Sequence, residues 1–270
     1  MTLHPFSFHL VFRHRRVDSC RLTPPRWFAA SLLLVGFLAP AGLLLAGDAT
    51  DRVHVSEASD PEAIAIAQRA LEAMGGGDAW DAARFLQWDF FGTRHHVWDK
   101  WTGKARIEAD STVFLINVNT KAGRVWEGGV EVTDPDRRAE LLDRGHQIWI
   151  NDSYWMFMPY KLLDPGVTLT LASPDTLPGG RAADVLRLTF AENAGYTPRN
   201  RYDVYVARDT GLVEQWAFYA EATDPEPRFV LPWAGWKHFG GILLATDHGQ
   251  GKNWNIAVLK EVPESVFARP

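Results

Sequence analysis

Histidines and carboxylates are the side chains of this chain that could hold a metal ion or move protons. His95 and His96 are adjacent, and adjacent side chains on a strand point to opposite faces, so these two cannot bind one metal ion. Beyond residue 49, no other histidine pair has the short spacing typical of a metal site. A metal site would have to combine distant residues, namely His96, His238 and His248 with Asp99 or Asp247. The alternative is that these histidines lie in the core or at a rim and bind backbone groups.

Motifs for nucleophilic or nucleotide chemistry are absent from the sequence. It contains no Gly-x-Ser-x-Gly, no His-Glu-x-x-His, no phosphate-binding loop and no dinucleotide fingerprint. Three carboxylates on predicted strands are candidate general acids, namely Asp89, Asp99 and Glu108. Such carboxylates usually pair with arginine, and the candidates for that pairing are Arg94, Arg106 and Arg124. We therefore expect no catalytic residue, no metal and no cofactor, and we favour a role other than catalysis.

Large apolar side chains are concentrated in WINDSYWMFMPYKLLDPG, residues 149–166. We interpret HQIWINDSYWMFM as a β-hairpin that turns at Asn151–Ser153, with side chains alternating between two faces. One face would carry Ile148, Ile150, Trp155 and Phe157. The other face would carry Gln147, Trp149, Tyr154, Met156 and Met158. Neither face is polar, so either both are covered or one of them contacts an apolar molecule.

The mixed face of this hairpin is a candidate wall for an apolar ligand, because tryptophan and methionine offer adaptable apolar surface. The stretches WDFFGTRHHVWDKW and RFVLPWAGWKHFGG add more of the twelve tryptophans of the chain. We predict a cavity lined by Trp88, Phe90, Trp98, Trp149, Met156, Met158 and Trp216, with Trp233 and Trp236 near its mouth. The alternative is an ordinary buried strand pair.

The first 49 residues have the pattern of an export signal. Five arginines precede the apolar run FAASLLLVGFLAPAGLLLAG, and small residues follow it. We predict cleavage after Ala46 or Ala49 and a periplasmic location; the alternative is that residues 28–46 remain as an inner-membrane anchor. The single cysteine, Cys20, would leave with the signal, so the remaining chain could form no disulfide.

The charge of the chain excludes one class of partner. Its formal net charge is −5, and the Lys and Arg residues form no basic stripe. Nucleic-acid binding depends on clustered basic side chains that neutralise phosphates. We therefore expect a hydrophobic small molecule or acyl chain, or another envelope protein, and no nucleic acid as the partner. Contact with a membrane is expected only through an uncleaved N-terminal segment.

Two stretches predict helices. SDPEAIAIAQRALEAMGGG predicts a helix that Asp60 caps and Gly75–Gly77 end, and DAWDAARF predicts a short turn after it. DPDRRAELLDRGH predicts a second helix that Asp134 caps, Pro135 begins and Gly145 ends.

Most of the sequence from Phe85 onward predicts short β-strands, which are rich in β-branched and aromatic residues and bounded by turn residues. The clearest hairpin is YDVYVARDTGLVEQWAFY, in which Gly211 can take a positive φ in the turn. We predict a mainly β fold with a few helices (α+β), built as one domain over residues 50–270. Its core would be a single curved antiparallel sheet, or a barrel, with helices packed against it.

Four stretches carry a resemblance to a known group of proteins: DPGVTLTL, ADVLRLTF, YDVYVARDTGLVEQWAFY and WKHFGGILLATDH. They resemble an uncharacterised family of bacterial exported proteins that lies near the LolA/LolB-like periplasmic lipoprotein-carrier fold. The resemblance covers residues 60–265 and implies a half-open β-barrel closed by helices, with a hydrophobic cavity that accepts acyl chains. The chain departs from the carriers in its high tryptophan content, and no functional residue of the family matches one to one.

Three hypotheses about function follow. The one we favour is a cell-envelope protein that binds or carries a hydrophobic, acyl- or lipid-like ligand, which predicts an accessible apolar cavity. The second is a structural or interaction module without a ligand, which predicts a filled barrel and an exposed aromatic patch. The third is a metal-dependent enzyme with a noncontiguous site, which predicts clustered histidines and carboxylates. A shared fold by itself establishes none of them.

Overall fold

Two larger antiparallel sheets and three α-helices make up the described part of the chain, which is residues 54–249, 251 and 254–270 of a computed structural model. The helices are α1 (Pro61–Ala73), α2 (Gly76–Ala82) and α3 (Pro135–Phe157). The predicted signal or anchor in residues 1–49, with Cys20, lies outside the described residues.

Sheet A has seven strands in the order β15-β1-β2-β3-β4-β5-β6, each antiparallel to its neighbours. Six of them follow one another along the chain as a meander: β1 (Phe85–Phe90), β2 (Arg94–Asp99), β3 (Lys104–Ala109), β4 (Thr112–Asn117), β5 (Gly123–Glu127) and β6 (Val130–Glu131). The late strand β15 (Ala257–Leu259) returns to pair with β1 at the edge of the sheet.

Sheet B has the strand order β12-β11-β10-β9-β7, and β8 also pairs with β9. Its strands are β7 (Val167–Leu171), β8 (Asp175–Thr176), β9 (Ala182–Phe190), β10 (Arg201–Ala207), β11 (Val213–Tyr219) and β12 (Phe229–Pro232). A separate two-stranded hairpin joins β13 (Lys237–Phe239) to β14 (Ile242–Leu244).

The predicted fold class is confirmed: antiparallel strands dominate, a few helices accompany them, and the described strands form no closed barrel. The strands are divided between two larger sheets because β6 ends sheet A and the chain then enters α3 before it resumes strand pairing at β7. The predicted hairpin around Gly211 is present as β10 and β11, and Gly211 has a φ of +73°.

Helix α1 forms and ends close to where the sequence predicts. It begins at Pro61 and buries Ala63, Ile66, Ala67 and Ala70, which recur at helical spacing and pack into the core of sheet B. Gly75, with a φ of +114°, follows its end. The prediction that Asp60 caps α1 was wrong for its side chain: the carboxylate accepts a hydrogen bond from the Leu171 N–H of β7 at 2.8 Å instead.

The predicted hairpin in residues 146–158 was wrong, because this segment is the second half of α3. The predicted start was right: Pro135 begins α3, and the Asp134 carboxylate accepts from the Arg137 N–H at 2.8 Å. Apolar residues on both supposed strand faces also satisfy a helix that is surrounded by protein. The buried positions of α3 share one side of the helix, as helical spacing requires: Leu141, Leu142, Gly145, Asp152, Ser153, Met156 and Phe157.

Gly145 does not end α3, since it lies near the middle of the helix and is buried. A Cβ at this position would lie 2.7 Å from Cδ1 of Phe114, a fully buried ring on β4. The glycine therefore lets the helix approach the strand closely.

Helix α3 contacts both sheets, which explains why its second half carries large apolar side chains on more than one side. Phe157 lies edge-on to Trp88 of β1 at 5.1 Å between ring centroids. Trp155 is edge-on to Trp216 of β11 at 5.0 Å, and Tyr154 lies 5.4 Å from Tyr202 of β10. The helix thus connects the cores of sheet A and sheet B.

We expect Gly145→Ala to lower the free energy of unfolding by about 1–3 kcal/mol, because the added methyl group must displace Phe114. On an exposed helix the same change would raise stability by up to about 1 kcal/mol. Urea unfolding followed by circular dichroism measures the difference, with Arg144→Ala at the adjacent exposed position as the control. A more stable Gly145→Ala protein would contradict the close approach of α3 to β4.

Candidate apolar-ligand site

A buried ion pair fixes α3 against sheet A. The Asp152 carboxylate is fully buried, and Arg94 of β2 donates to it twice, at 2.6 and 2.7 Å. His96, two residues along the same strand and also buried, lies with its Nε2 2.8 Å from the same carboxylate. Asn151 adds a side-chain hydrogen bond at 2.9 Å. The carboxylate is therefore held by charge and by hydrogen bonds in a region that excludes water.

The protonation states of this cluster follow from its environment. Burial opposes the ionisation of Asp152, but the hydrogen bonds from His96 and Arg94 outweigh it, so the pKa of Asp152 is lowered. Burial lowers the pKa of His96 in spite of its hydrogen bond to Asp152. At neutral pH a neutral His96 therefore donates its Nε2–H to an ionised carboxylate, while its ring stacks on Trp88 at 4.4 Å.

Three half-buried aromatic side chains lie near this anchor, and we call them the aromatic rim: Phe91 from the β1–β2 turn, Trp155 from α3 and Phe229 from β12. Trp155 lies 5.9 Å from Phe91 and 5.4 Å from Phe229 between ring centroids. The rim therefore joins sheet A, α3 and sheet B in one partly exposed aromatic surface.

Phe91 has a strained backbone, with a φ of +51°. The left-handed region is costly for a residue with a bulky side chain, and such strain is a common property of functional positions. In this conformation the Phe91 ring contacts Phe90 at 4.7 Å and Trp254 at 4.9 Å. The turn thus holds an apolar ring at the rim at some cost in backbone energy.

Beneath the rim lie four buried rings that we call the inner array: Trp216, Trp233, His248 and Trp254. Each contacts the next, at 5.7 Å from Trp216 to Trp233, 4.4 Å from Trp233 to His248 and 5.1 Å from His248 to Trp254. The rim meets both ends of the array, since Trp155 contacts Trp216 and Phe91 contacts Trp254.

Four polar atoms of the inner array have no hydrogen-bond partner among the described residues. They are the Nε1 atoms of Trp216, Trp233 and Trp254 and the Nε2 atom of His248. A buried polar group without a partner costs about 1–3 kcal/mol, and folded proteins contain few of them. Ten such atoms occur among the described residues, and the inner array holds four of them on rings that contact one another.

His248 is uncharged in this environment. Burial lowers the pKa of His248 to about 4, although a hydrogen bond with the backbone of Ala245 and the nearby Asp247 both oppose the shift. Because Nε2 is unpaired, the bond to the Ala245 carbonyl is donated by Nδ1. Its Nε2 is then a free acceptor between two tryptophan rings.

The structure distributes the nine predicted ligand residues over three places. Trp216, Trp233 and Met158 lie in the core of sheet B. Trp88, Phe90 and Met156 lie in the core formed by β1, the end of α3 and the β13–β14 hairpin, and Trp236 packs against both cores. Trp98 and Trp149 form an edge-on pair at 5.0 Å that packs against this second core and against the core of β3, β4, β5 and α3. The structure thus brings Trp216 and Trp233 together, but it does not gather all nine around one space.

The side chains of α3 and the inner array fill the space between the sheets. Trp88, Trp216, Trp233, Trp254, Phe157, Met156 and Met158 are all fully buried. Two surface clefts lie elsewhere. One of about 290 Å³ is lined by residues around His95 and Glu108, and one of about 670 Å³ lies between α1 and the β10–β11 turn. None of the nine predicted residues lines either cleft.

The residues considered for metal binding are not brought together. Among residues 54–249, 251 and 254–270, no group of three histidines, cysteines, aspartates or glutamates could hold a metal ion. His96 binds Asp152, His248 is enclosed by tryptophans, and His238 is exposed on β13. Of the carboxylates, Asp99 pairs with Arg84 at 2.8 Å, and Glu108 pairs with the predicted partner Arg106 at 2.6 Å.

Several members of this site escaped the sequence reasoning. Phe91 and Phe229 look like ordinary turn and edge residues, and Trp155 was assigned to the opposite face of a hairpin that does not exist. Trp254 lies in a short stretch without a clear pattern. The tryptophan excess was the one usable signal, because it pointed to an aromatic region without giving its members.

No helix in the described part of the chain is long and apolar enough to cross a membrane.

We expect Asp152→Asn to lower the free energy of unfolding by about 3 kcal/mol, because it leaves the partly buried Arg94 without the fully buried carboxylate that pairs with it. Asp143→Asn is the matched control on the same helix, where a half-exposed ion pair with Lys121 is lost and about 1 kcal/mol or less is expected. Urea unfolding of both variants measures the contrast. Equal losses of unfolding free energy in the two variants would show that the buried pair stabilises the protein no more than the half-exposed pair does.

We also expect acid to destabilise the protein through His248. In the unfolded chain this histidine takes up a proton near pH 6.5, but in the folded protein only near pH 4, so stability is lost as the pH falls between these values. The loss from this residue is about 3 kcal/mol. His248→Phe should flatten the pH dependence of the unfolding free energy, and the exposed His238→Phe should not. Parallel pH profiles for wild type and His248→Phe would contradict the assignment.

Neither a protein-family model nor a curated protein matches the chain. Solved structures do resemble it. A DUF1329 family protein from Desulfovibrio piger is 14% identical, with coverage of 77% of this chain and 98% of that chain and a TM-score of 0.42. A LolA superfamily protein from Nitrosomonas europaea is 10% identical, with coverage of 76% and 96% and a TM-score of 0.34. A domain named for outer membrane lipoprotein sorting, from Vibrio parahaemolyticus, is 11% identical, with coverage of 74% and 97% and a TM-score of 0.31. All three structures are at most 14% identical to the chain, with TM-scores of 0.42 or less.

Proposed function

We propose that the protein binds a hydrophobic, acyl- or lipid-like ligand at the aromatic rim and the inner array, and carries it in the cell envelope. The observation that supports this most strongly is the continuity between the two. Half-buried rings of the rim contact buried rings whose polar atoms lack partners among the described residues. A ligand with an apolar chain and a polar end would cover the rim with its chain and form hydrogen bonds to the unpaired polar atoms with its polar end.

The rim offers a place for first contact. Phe91, Trp155 and Phe229 come from three different elements, so an apolar chain lying on them would contact both sheets and α3. Partly exposed aromatic side chains that are rigidly placed are typical of interaction sites, because little conformational entropy is lost on binding. The strained backbone of Phe91 is also easier to explain at a binding position than at a structural one.

Deeper binding requires that the interior open, since α3 and the inner array fill it. The covering segment, which we define as residues 233–249, follows β12 and is the candidate for this movement. It carries Trp233 and His248, and its ties to β11 are few: the Trp233 N–H donates to the Glu214 carbonyl at 2.9 Å and Trp236 Nε1 to the Val213 carbonyl at 3.1 Å. Opening it would expose the buried side chains of Trp233, Ile242 and Leu244, so a deeply bound ligand must cover comparable apolar surface.

The free energy that an acyl chain gains on leaving water sets the shortest useful ligand. Each methylene removed from water contributes about 0.8 kcal/mol, so about ten methylenes supply about 8 kcal/mol. Part of this gain is spent on association and on displacing the covering segment. A chain of about ten carbons or more is therefore the shortest ligand that we expect to bind usefully.

The envelope location is part of the proposal and depends on the export signal predicted in residues 1–49. In the periplasm such a protein would shield an apolar chain from water during transfer. A docking partner in the envelope is expected for delivery.

An interaction module without a ligand is the second candidate function, and the filled interior favours it. In that case the rim would contact another envelope protein directly, and the inner array would never open. The two candidates differ in one measurable property, which is the presence of a small molecule in the purified protein. Native mass spectrometry with lipid extraction of protein from an exporting host tests this: a stoichiometric lipid supports the carrier, and a clean apo mass supports the module.

We expect Trp155→Ala to weaken binding of the apolar dye N-phenyl-1-naphthylamine by about tenfold or more, because Trp155 is the central side chain of the rim. Dye fluorescence during titration measures the affinity. Trp101→Ala is the control, since Trp101 is 62% exposed on the β2–β3 turn, away from the rim. Phe229→Ala provides a second rim variant if Trp155→Ala unfolds. Unchanged dye affinity in folded rim variants, or no dye binding by the wild type, would contradict the proposal.

A further inference from the structure

We infer that the polar end of the ligand is uncharged and carries acceptor oxygens, as an ester or ketone carbonyl does, with a hydroxyl group as an optional donor. This inference rests on the proposed function and specifies the class of ligand for the same site. It follows from the kind of polar atoms in the inner array, from the charge of its surroundings and from the contacts between its rings.

The unpaired atoms of the tryptophans define what the ligand must offer. An indole Nε1–H only donates, so Trp216, Trp233 and Trp254 each require an acceptor. The rings of Trp216 and Trp233 are 5.7 Å apart, and His248 lies between Trp233 and Trp254. Acceptor oxygens of one small polar group could therefore serve two or more of these donors.

His248 adds the one acceptor of the array. Its Nδ1–H is used by the Ala245 carbonyl, which leaves Nε2 with a lone pair and no partner among the described residues. A hydroxyl or amide N–H of the ligand could donate to this atom. An ammonium group would have no carboxylate partner within the array, which consists of three indoles and an uncharged imidazole.

The surroundings disfavour an anionic ligand for a similar reason. The buried charged residues of the described chain are already paired: Asp99 with Arg84, Asp152 with Arg94, and Arg201 with Asp203, which also binds Arg187. A carboxylate among the tryptophans would meet no free positive side chain, and an unpaired buried charge is expensive. A neutral ester or ketone can accept the same hydrogen bonds without that cost.

Three matched probes separate this class from its alternatives: decane, methyl decanoate and decanoate, each used to displace N-phenyl-1-naphthylamine at pH 8. We expect methyl decanoate to displace the dye at a concentration about tenfold lower than decane or decanoate does. Two neutral hydrogen bonds to the ester change the affinity by about that factor. A simple oily pocket would give the opposite order for decane and the ester, since decane is the more hydrophobic.

Variants connect the preference to the inner array. Trp233→Phe keeps a ring and removes one N–H, so it should reduce the preference for methyl decanoate over decane, measured as the ratio of their displacing concentrations, by about threefold to fivefold. Trp254→Phe is the second variant if the first does not fold, and Trp101→Phe is the control, because its Nε1 already donates to the Asp81 carbonyl at 2.9 Å.

The outcomes distinguish the inference from the function on which it rests. Decane binding as tightly as the ester, or decanoate binding most tightly, would overturn the inference and leave hydrophobic binding intact. An ester preference that Trp233→Phe and Trp254→Phe both retain would also overturn it, because the indoles would then not be the donors. Failure of the dye and of all three probes to bind would overturn the proposed function itself.

Discussion

The buried contact of Asp152 with Arg94 and His96 is the constraint on which the rest of the molecule depends. A carboxylate without solvent exposure is tolerable only with charged and hydrogen-bonded partners, and both partners come from β2. The contact therefore fixes the rotation and height of α3 on sheet A. Trp155 lies one turn further along, so its position between the two sheets follows from the same contact.

Aromatic packing extends this single anchor across the molecule. From Trp155 the ring contacts continue to Trp216 in sheet B and, through Phe91, to Trp254. Such edge-on contacts have preferred geometries and leave little freedom to individual rings. They do not supply hydrogen-bond acceptors, however, and this is why indole N–H groups remain unpaired in an otherwise dense interior. The interior is therefore densely packed with rings, yet it lacks acceptors for several indole N–H groups. A ligand with a neutral polar end would supply acceptors.

The segment around α3 shows where sequence reasoning works and where it fails. Asp134 and Pro135 predicted the start of the helix correctly, because capping depends on local backbone chemistry. The prediction that Gly145 ends α3 was wrong. The sequence cannot distinguish a glycine that ends a helix from one that leaves room for a neighbouring ring, here that of Phe114. The apolar residues within 148–158 fit the spacing of a strand and of a helix alike. Which of the two forms depends on the surfaces that surround the segment, and the sequence does not give these.

The sequence by itself determined the mainly antiparallel β class, the start of α1 and of α3, the hairpin at Gly211 and an aromatic-rich interior. These features rest on turn chemistry, capping and periodicity, which act over a few residues. Only the tertiary structure decided that α3 passes between two sheets, and which rings meet as Phe91, Trp155 and Phe229 at the rim and as Trp216, Trp233, His248 and Trp254 beneath it. The physical reason is that side chains far apart in sequence become neighbours only when the buried Asp152 contact and the packing of both sheets set the place of the helix between them.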